Sequence, residues 1–230
     1  MELIDNLYTS SFHDESPELK KLIKTHGVLQ TLSKGDFIIQ ENTPSSGFYW
    51  IVEGAAKVTI QSNKKNEQIV TLLSQGEFVG ISAVMNDHEH TKSAQILSSI
   101  ARVLFIKKED FLTFMHQYPM VVIPLMKHIE SKIDKIENRA AQIMRKNIEQ
   151  RLAYVYLMLQ NKFGCDENGF IRFNLSPKDM ANFVGTTRTT VYRVLRKFQD
   201  AKLLNQDHKR IQILTREGLQ QIFNSQLELA

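Results

Sequence analysis

One side of a short helical pattern near the end of the chain carries side chains that can bind nucleic acid. At 100° per residue, five of them lie opposite the apolar side of the same segment: Arg188, Thr189, Tyr192, Arg193 and Arg196. An arginine guanidinium can donate two parallel hydrogen bonds to guanine O6 and N7, and a threonine can contact a base edge or the methyl group of thymine. All five can also contact phosphate. The pattern predicts a DNA-reading face, and a solvated basic face is the alternative.

The residues before this face predict a first helix that meets the reading helix at a tight turn. Ser176 is a typical N-cap, and Pro177 suits the first helical position. Ala181 is small enough to let two helices approach, and Gly185 can adopt the backbone conformation of a tight turn between them. The reading helix is then expected to cover about 187–199. This spacing is typical of a helix-turn-helix.

The last third of the chain is basic and contains a predicted hairpin. Residues 1–150 carry 17 Lys and Arg against 18 Asp and Glu, whereas residues 151–230 carry 12 against 7. The excess of cations indicates a polyanionic partner, and a chance bias of the surface is the alternative. Residues 203–214 predict a two-stranded wing after the reading helix. The predicted DNA-binding residues are Ser176, Lys178, Thr187, Arg188, Thr189, Tyr192, Arg193 and Arg196.

The first half of the chain predicts a β-rich domain. Short runs of strand-forming residues alternate with turn residues, which is typical of a β-sandwich or barrel. The runs are Phe37–Gln40, Phe48–Val52, Ala56–Gln61, Gln68–Leu73 and Ile100–Ile106. Helices are predicted before these strands, within residues 1–28, and after them from Lys108. A further short strand is predicted at Phe170–Phe173.

A long helix is predicted between the two parts. From Val122 to Ile143, apolar residues recur at alternating steps of four and three, with charged or polar residues at most other positions. The seam consists of Val122, Met126, Ile129, Ile133, Ile136, Ala140 and Ile143. Such an a/d pattern pairs two helices, whereas a helix packed only on its own domain usually shows a broader apolar stripe. We therefore expect a homodimer.

Composition and motifs exclude several classes of protein. The longest apolar run, residues 120–126, contains Pro124 and is too short to span a membrane. The acidic, polar N-terminus is unlike a secretory signal. A single cysteine, Cys165, excludes an internal disulfide and an iron–sulfur cluster held by four cysteines. P-loop, GxSxG, HExxH and dinucleotide-binding motifs are missing from the sequence, so we expect a cytoplasmic protein that is not an enzyme and has no membrane partner.

The order of these parts resembles the Crp/Fnr family of bacterial transcription regulators. The resemblance runs from about Leu29 to about Leu214 and rests on FYWIVEGAAKVTI (48–60), LLSQGEFVGISAV (72–84), KSAQI (92–96) and VGTTRTTVYRVLRKFQDAKLL (184–204). It implies an α+β chain made of an N-terminal helical segment (1–28), a jelly-roll β-barrel of the cyclic-nucleotide-binding type (29–118), a dimerisation helix (119–147) and a winged helix-turn-helix (148–230). The implied partners are double-stranded DNA with a palindromic site, a second copy of the chain, and RNA polymerase.

The resemblance also assigns base-reading positions. Three positions of the family's reading helix fall here on Arg188, Thr189 and Arg193. The middle one is a glutamate in many members, where it accepts a hydrogen bond from a base. Threonine lacks that charge, so we expect a half-site different from the familiar one, in which Arg193 still favours guanine.

The effector pocket departs further from the family pattern. In cyclic-AMP-binding members a Gly-Glu pair engages the ribose and an Arg-Ser pair holds the phosphate, whereas this chain has Gly80-Ile81 and Lys92-Ser93. Lysine lacks the planar fork of arginine, and the hydroxyl pair that meets adenine aligns with Ile136 and Glu137. These losses argue against cyclic AMP and leave open another small anion or no effector. The candidate pocket is Gly80, Ile81, Ser82, Lys92, Ser93, Ile136 and Glu137.

Weaker sensing sites and a second function class stay open. Candidate metal ligands are His88 and His90, a haem role would add Met85, His116 and His128, and Cys165 is a candidate oxidisable thiol. The alternative function is a small-molecule, haem or metal sensor of the same fold whose basic domain contacts a protein partner. In that case Arg193→Ala would leave function intact.

Overall fold

The computed structural model describes residues 17–63, 66–143 and 145–225. The chain forms two units, Met1–Lys135 and Ile136–Ala230, which divide within one long helix. Any predicted helix within residues 1–16 lies outside the described residues. In the part of the chain that is described, no helix is both long enough and apolar enough to cross a membrane.

The first unit contains two antiparallel four-stranded sheets and their flanking helices. Its elements are α1 (Pro17–His26), β1 (Val28–Ser33), β2 (Phe37–Ile39), β3 (Gly47–Glu53), β4 (Ala56–Asn63), β5 (Asn66–Leu73), β6 (Phe78–Val79), α2 (Ile81–Asn86), β7 (Ser93–Ile96), β8 (Ile100–Lys107) and α3 (Lys108–Gln117). The strand orders are β1-β8-β3-β6 and β2-β7-β4-β5. All five predicted strands are present, and β1, β6, β7 and α2 are additional.

Both faces of β3 are buried, which explains its continuous apolar run. Phe48 and Trp50 belong to a core formed with helices α1 and α3, whereas Ile51 packs with Val103 of β8 in a second core shared with the other sheet. Because successive side chains point to opposite faces of a strand, a strand covered on both sides needs apolar residues throughout. The sheet β1-β8-β3-β6 therefore lies between the helices and the sheet β2-β7-β4-β5.

A turn of 3-10 helix, Pro119–Val121, leads into the long helix α4 (Val122–Ile143), which carries apolar residues on more than one side. Leu125 and Ile129 pack in the helix-side core of the first unit. Met126, Ile133 and Ile136 are 61%, 49% and 48% exposed. The helix predicted from the seam is confirmed, and part of that seam is an exposed apolar strip.

The second unit contains the predicted helix-turn-helix and hairpin. After α4 its elements are α5 (Ile148–Phe163), α6 (Pro177–Val184), α7 (Arg188–Asp200), β9 (Leu204–Asp207), β10 (Arg210–Ile213) and α8 (Arg216–Asn224). Strands β9 and β10 pair antiparallel, with Arg210 opposite Asp207. The α+β class expected from the sequence is confirmed.

The strand predicted at Phe170–Phe173 is wrong. The backbone there makes only isolated bridges, one of them between Phe170 and Gln212 of β10. Asp166 accepts hydrogen bonds from the backbone N–H groups of Asn168 and Phe170, both at 3.0 Å, and so closes a turn just before the segment. The short apolar run that follows packs beside the hairpin without forming a ladder.

Candidate nucleic-acid interface

Two N-caps and a glycine fix the position of the reading helix α7. Ser176 Oγ accepts a hydrogen bond from the N–H of Asp179 (3.1 Å) at the start of α6, and Thr187 Oγ1 accepts one from the N–H of Thr190 (3.2 Å) at the start of α7. Gly185, between the two helices, has a φ of 72°, which glycine adopts without strain. The cap predicted at Ser176 and the turn predicted at Gly185 are confirmed.

The two helices pack through apolar inner faces. The buried residues of α6 are Met180, Ala181, Phe183 and Val184, and those of α7 are Val191, Val194, Leu195 and Phe198. The apolar spacing of the sequence predicts inner faces of Met180, Ala181 and Val184 in α6 and of Val191, Val194, Leu195 and Phe198 in α7, and Phe183 is additional. Since burying each large apolar side chain stabilises a fold by about 1.5–3 kcal/mol, α7 is held firmly by its inner face, and its outer face is left for binding.

The outer face of α7 presents every predicted reading residue to solvent. These are Arg188, Thr189, Tyr192, Arg193 and Arg196. Among the described residues, its three arginines have no hydrogen-bonding or ion-pair partner. By contrast, Arg210 pairs with Asp166, and Arg216 donates to Gln160 and Asn161. Each free guanidinium carries five N–H donors, so this face offers a dense set of donors to an anionic ligand.

The remaining predicted DNA-binding residues are two caps and a lysine. The Ser176 hydroxyl also donates to the Asp179 carboxylate, and the hydroxyls of Thr187 and Thr190 lie 3.0 Å apart. Both capping hydroxyls are therefore already engaged in holding the helices. Lys178 is exposed near the start of α6 and adds a positive charge there.

The hairpin forms the predicted wing, and its second strand is fixed to the loop after α5. Arg210 pairs with the Asp166 carboxylate, and its guanidinium lies 4.2 Å from the centre of the Phe170 ring. Burial raises the pKa of Asp166, but hydrogen bonds from the Phe170 N–H and the Arg210 guanidinium outweigh it and lower that pKa overall. The tip residues His208 and Lys209 are exposed. Arg210 thus stabilises the wing itself, whereas the tip of the wing is exposed to solvent.

One contact of the reading helix has no signal in the sequence. Lys197 Nζ on α7 donates to both carboxylate oxygens of Glu149 at the start of α5, at 2.8 and 2.7 Å. The two residues are 48 positions apart, and no spacing rule links them. The end of the reading helix is therefore tied to α5 by a charged pair.

The predicted effector residues of the first unit lie at the start of α2 and at the start of β7. Gly80 has a φ of 90° and precedes the helix, and Ile81 packs against the helix-side core. Ser93 Oγ accepts a hydrogen bond from the N–H of Glu41 (3.0 Å), while Lys92 is exposed. The Ser93 hydroxyl is thus engaged by the protein's own backbone.

The other residues of the predicted pocket are exposed. Ser82 is exposed, and Ile136 and Glu137 are exposed residues of α4 in the second unit. A cleft of about 210 Å³ does lie in the first unit, with Tyr49 and His90 in its lining. None of the predicted effector residues lines that cleft. The composition of the effector site stays a prediction.

The two candidate metal ligands sit in different surroundings. His90 is 6% exposed, and burial together with the nearby His88 lowers its pKa. His88 is exposed, and its Nδ1 lies 2.6 Å from the carbonyl O of Glu89. Within residues 17–63, 66–143 and 145–225, His, Cys, Asp and Glu side chains form no group of three or more that could hold a metal ion.

The haem and thiol candidates differ in exposure and in their hydrogen-bonding partners. Met85 is 45% exposed, and the His116 Nδ1 lies 2.7 Å from the carbonyl O of Leu112 in its own helix. The side chain of His128 lies outside the described ones. Cys165 is half-buried, with the Gln160 amide nitrogen 3.6 Å from its Sγ.

Comparison with known proteins matches both halves of the chain. The sequence profile of the cyclic nucleotide-binding domain covers residues 29–118, and that of the Crp-like helix-turn-helix domain covers residues 150–222. The transcriptional activator protein Anr of Pseudomonas protegens is 27% identical over 188 residues, which cover 80% of this chain and 75% of Anr. The chain belongs to the Crp/Fnr family of transcription regulators.

Further relatives of this Crp/Fnr regulator agree with that assignment. The CRP-like cAMP-activated global transcriptional regulator of Mycobacterium tuberculosis is 21% identical over 188 residues, covering 81% of this chain and 84% of its own. The structure of FixK2 from Bradyrhizobium japonicum matches with a TM-score of 0.76 at 18% identity, over 87% of this chain and 98% of FixK2. At that identity the likeness shows the fold. The family consists of DNA-binding regulators and not of enzymes, as expected from the sequence.

Proposed function

We propose that this Crp/Fnr regulator is a homodimer that binds a palindromic DNA site with its two α7 helices and is not controlled by cyclic AMP. The observation that carries the DNA-binding part is the outer face of α7, where Arg188, Arg193 and Arg196 have no partner among the described residues. Such guanidinium groups can pair with guanine in the major groove or with phosphate. The reading helix is packed, capped and positively charged, as a major-groove helix must be.

The proposed dimer forms along the exposed strip of α4. Met126, Ile133 and Ile136 present apolar side chains to solvent at helical spacing. Pairing two copies of this strip buries apolar surface and relates the copies by a two-fold axis. A two-fold dimer binds two half-sites of opposite orientation, with centres about one helical turn, or ~34 Å, apart.

The proposed half-site contains guanine opposite Arg193, because a bidentate arginine favours that base over the other three. Thr189 stands at the position where many relatives have glutamate, and a neutral hydroxyl cannot accept as strongly from cytosine N4. The half-site is therefore expected to differ at the base pair that Thr189 faces.

The proposed independence from cyclic AMP rests on the residues at the start of α2 and at the start of β7. A ribose-binding carboxylate is missing because Ile81 stands there and packs into the core. Lys92 provides a point charge without a bidentate fork, and the Ser93 hydroxyl already accepts from the Glu41 N–H. Contact with RNA polymerase and a cytoplasmic location are proposed from the family alone.

The deciding experiment is selection of bound sequences from a random DNA pool with the purified, ligand-free protein. We expect a palindrome with guanine in each half-site. Arg193→Ala should then cost about 1–3 kcal/mol of binding free energy and relax the choice at one base pair per half-site. Arg172→Ala is the matched control, because Arg172 is an exposed arginine of the same unit that lies outside α7.

Each part of the proposal has its own contradicting outcome. Enrichment of a single, non-repeated half-site would contradict the homodimer. Tighter binding on addition of cyclic AMP would contradict independence from that nucleotide. No enrichment, even with cell extract added, together with an Arg193→Ala variant that functions normally, would favour a basic domain that contacts a protein.

A further inference from the structure

The side chain of Arg151, near the start of α5, joins two distant backbone segments. Its Nε donates to the carbonyl O of Lys146 (2.9 Å), and its Nη1 donates to the carbonyl O of Val184 (3.3 Å). Lys146 lies in the short connection between α4 and α5, and Val184 is the last residue of α6. One half-buried guanidinium therefore holds the connection after α4 against α6, the first helix of the helix-turn-helix.

Neighbouring residues extend this link in both directions. The N–H of Lys146 donates to the carbonyl O of Ile143, the last residue of α4, at 3.0 Å. On the other side, Val184 is followed by Gly185, which makes the turn into the reading helix. A path of hydrogen bonds thus runs from the end of α4 through Arg151 to Val184, which directly precedes the turn before α7.

The chemistry of this link suits arginine in particular. The Val184 carbonyl is in the last turn of α6, where carbonyl groups have no partner within the helix and a positive charge is favourable. The Lys146 carbonyl lies outside any helix. A guanidinium reaches two such acceptors in different directions because its N–H donors are spread over a rigid plane. A lysine ammonium at the same place would be a single point charge.

The two residues before Arg151 fasten the same stretch to two other helices. Glu149 pairs with Lys197 on α7. Gln150, only 2% exposed, donates from Nε2 to the carbonyl O of Ser225 at the end of α8, at 2.7 Å. Three consecutive side chains thus bind the start of α5 to α7, to α8 and to α6. The start of α5, which follows the connection after α4, is therefore fixed to three other helices of the second unit.

We propose that Arg151 is a positioning residue that fixes the reading helix relative to the end of α4, and so sets the spacing between the two reading helices of the dimer. This inference rests on the proposed homodimer and its palindromic site. With the link intact, each α7 is held at one orientation to the dimer helix, and only one half-site spacing fits both. Without it, α7 still folds and reads a half-site, but the two copies adapt to several spacings.

The test compares Arg151→Met and Arg151→Lys with wild type and with Arg216→Lys. Methionine removes the donors at similar length, and lysine keeps only the charge. Arg216 is the matched control, because its guanidinium also bridges two groups, on Gln160 and Asn161, far along α5 from the link. Dissociation constants are measured by fluorescence anisotropy for the selected palindrome, for a single half-site, and for palindromes with one or two base pairs inserted at the centre.

We expect wild type to bind the palindrome about 100-fold or more tightly than the half-site, because the second contact is intramolecular. Arg151→Met should reduce this advantage to about tenfold or less and flatten the dependence on spacing, while half-site affinity stays within about twofold of wild type. Arg151→Lys should fall between the two. Arg216→Lys should behave as wild type.

Two results would overturn the role of Arg151. One is an Arg151→Met variant with the wild-type advantage and spacing dependence. The other is an equal loss of affinity for palindrome and half-site, which would show that Arg151 only supports folding. Thermal unfolding followed by circular dichroism identifies a variant that fails to fold, and the milder Arg151→Lys variant then decides between these results. A wild-type protein without preference for the palindrome would overturn the proposed function itself, and the inference with it.

Discussion

The contribution of the α4 seam to the free energy of dimerisation can be calculated from the exposed fraction of its side chains. Ile133 is 49% exposed in the single chain. Fully burying an isoleucine stabilises by about 1.5–3 kcal/mol, so burying the exposed half at a dimer interface contributes about 0.7–1.5 kcal/mol per copy. A symmetric dimer contains two copies, so Ile133→Ala should cost about 1.5–3 kcal/mol of dimerisation free energy. That raises the dimer dissociation constant by roughly 10- to 150-fold.

Sedimentation equilibrium over a range of protein concentrations measures this dissociation constant directly. The matched control is Ile123→Ala, which removes an isoleucine of the same helix that is 52% exposed. Ile123 lies about 100° from Val122 and about 60° from Met126 around the helix, at the edge of the seam and not within it. The control should therefore change the dissociation constant by less than about threefold, a free-energy change of the size that surface substitutions usually cause.

Two outcomes would refute the reasoning about the seam. If Ile133→Ala dimerises like wild type, the exposed strip does not form the interface. If Ile123→Ala is weakened as much as Ile133→Ala, the two copies meet through another side of α4. Because Ile133 is half-exposed, we expect the monomer's own unfolding midpoint to change little, and a large drop would show that it packs within its own chain instead.

Three further predictions concern single residues. Gly185→Ala should destabilise the second unit by about 1–2 kcal/mol in urea unfolding, because alanine is strained at a φ of 72°, and an unchanged midpoint would contradict this. Arg196→Ala should make the log–log salt dependence of DNA binding shallower by about 0.9 per lost phosphate contact in each protomer, and an unchanged slope would remove Arg196 from the phosphate contacts. Burial lowers the pKa of His90, so as the pH falls below about 6.5 the unfolded chain binds a proton that the folded chain resists. Wild-type stability should therefore decline over that range, and the decline should be smaller in His90→Gln, as pH-dependent urea unfolding would show.

The reading helix could be predicted from the sequence because its signals are local. Ser176, Gly185 and Thr187 act on backbone groups within a few residues of themselves, and the apolar spacing of α7 defines one buried side. The strands of the first unit can be predicted for a related reason, since their apolar runs are bounded by turn residues. The ends of these helices and strands, and the sides that they bury, are determined by residues close together in the sequence.

The remaining features depend on residues that are distant in the sequence. Glu149 and Lys197 meet only because α5 packs near α7, and either alone reads as an ordinary surface charge. The acceptors of Arg151 are backbone carbonyls, which every residue has, so no residue type marks them. The strand predicted at Phe170–Phe173 failed because the turn held by Asp166 decides the local backbone. In each case packing across the domain overrides or adds to the local pattern.

Contacts between distant residues also decide how much of the positive charge of the second unit is available to DNA. A count of lysines and arginines treats every cation as available to a polyanion. In the structure, Arg151 and Arg210 are committed to carbonyl or carboxylate groups of their own domain, and Lys197 is neutralised by Glu149. The arginines of the outer face of α7 have no such partner among the described residues, so their charge is available to DNA on the side of the helix that can face bases. Cations that pair with groups of their own domain hold its helices and loops in place, whereas cations without such a partner are available to bind DNA. A total charge becomes a DNA-binding surface only through that division.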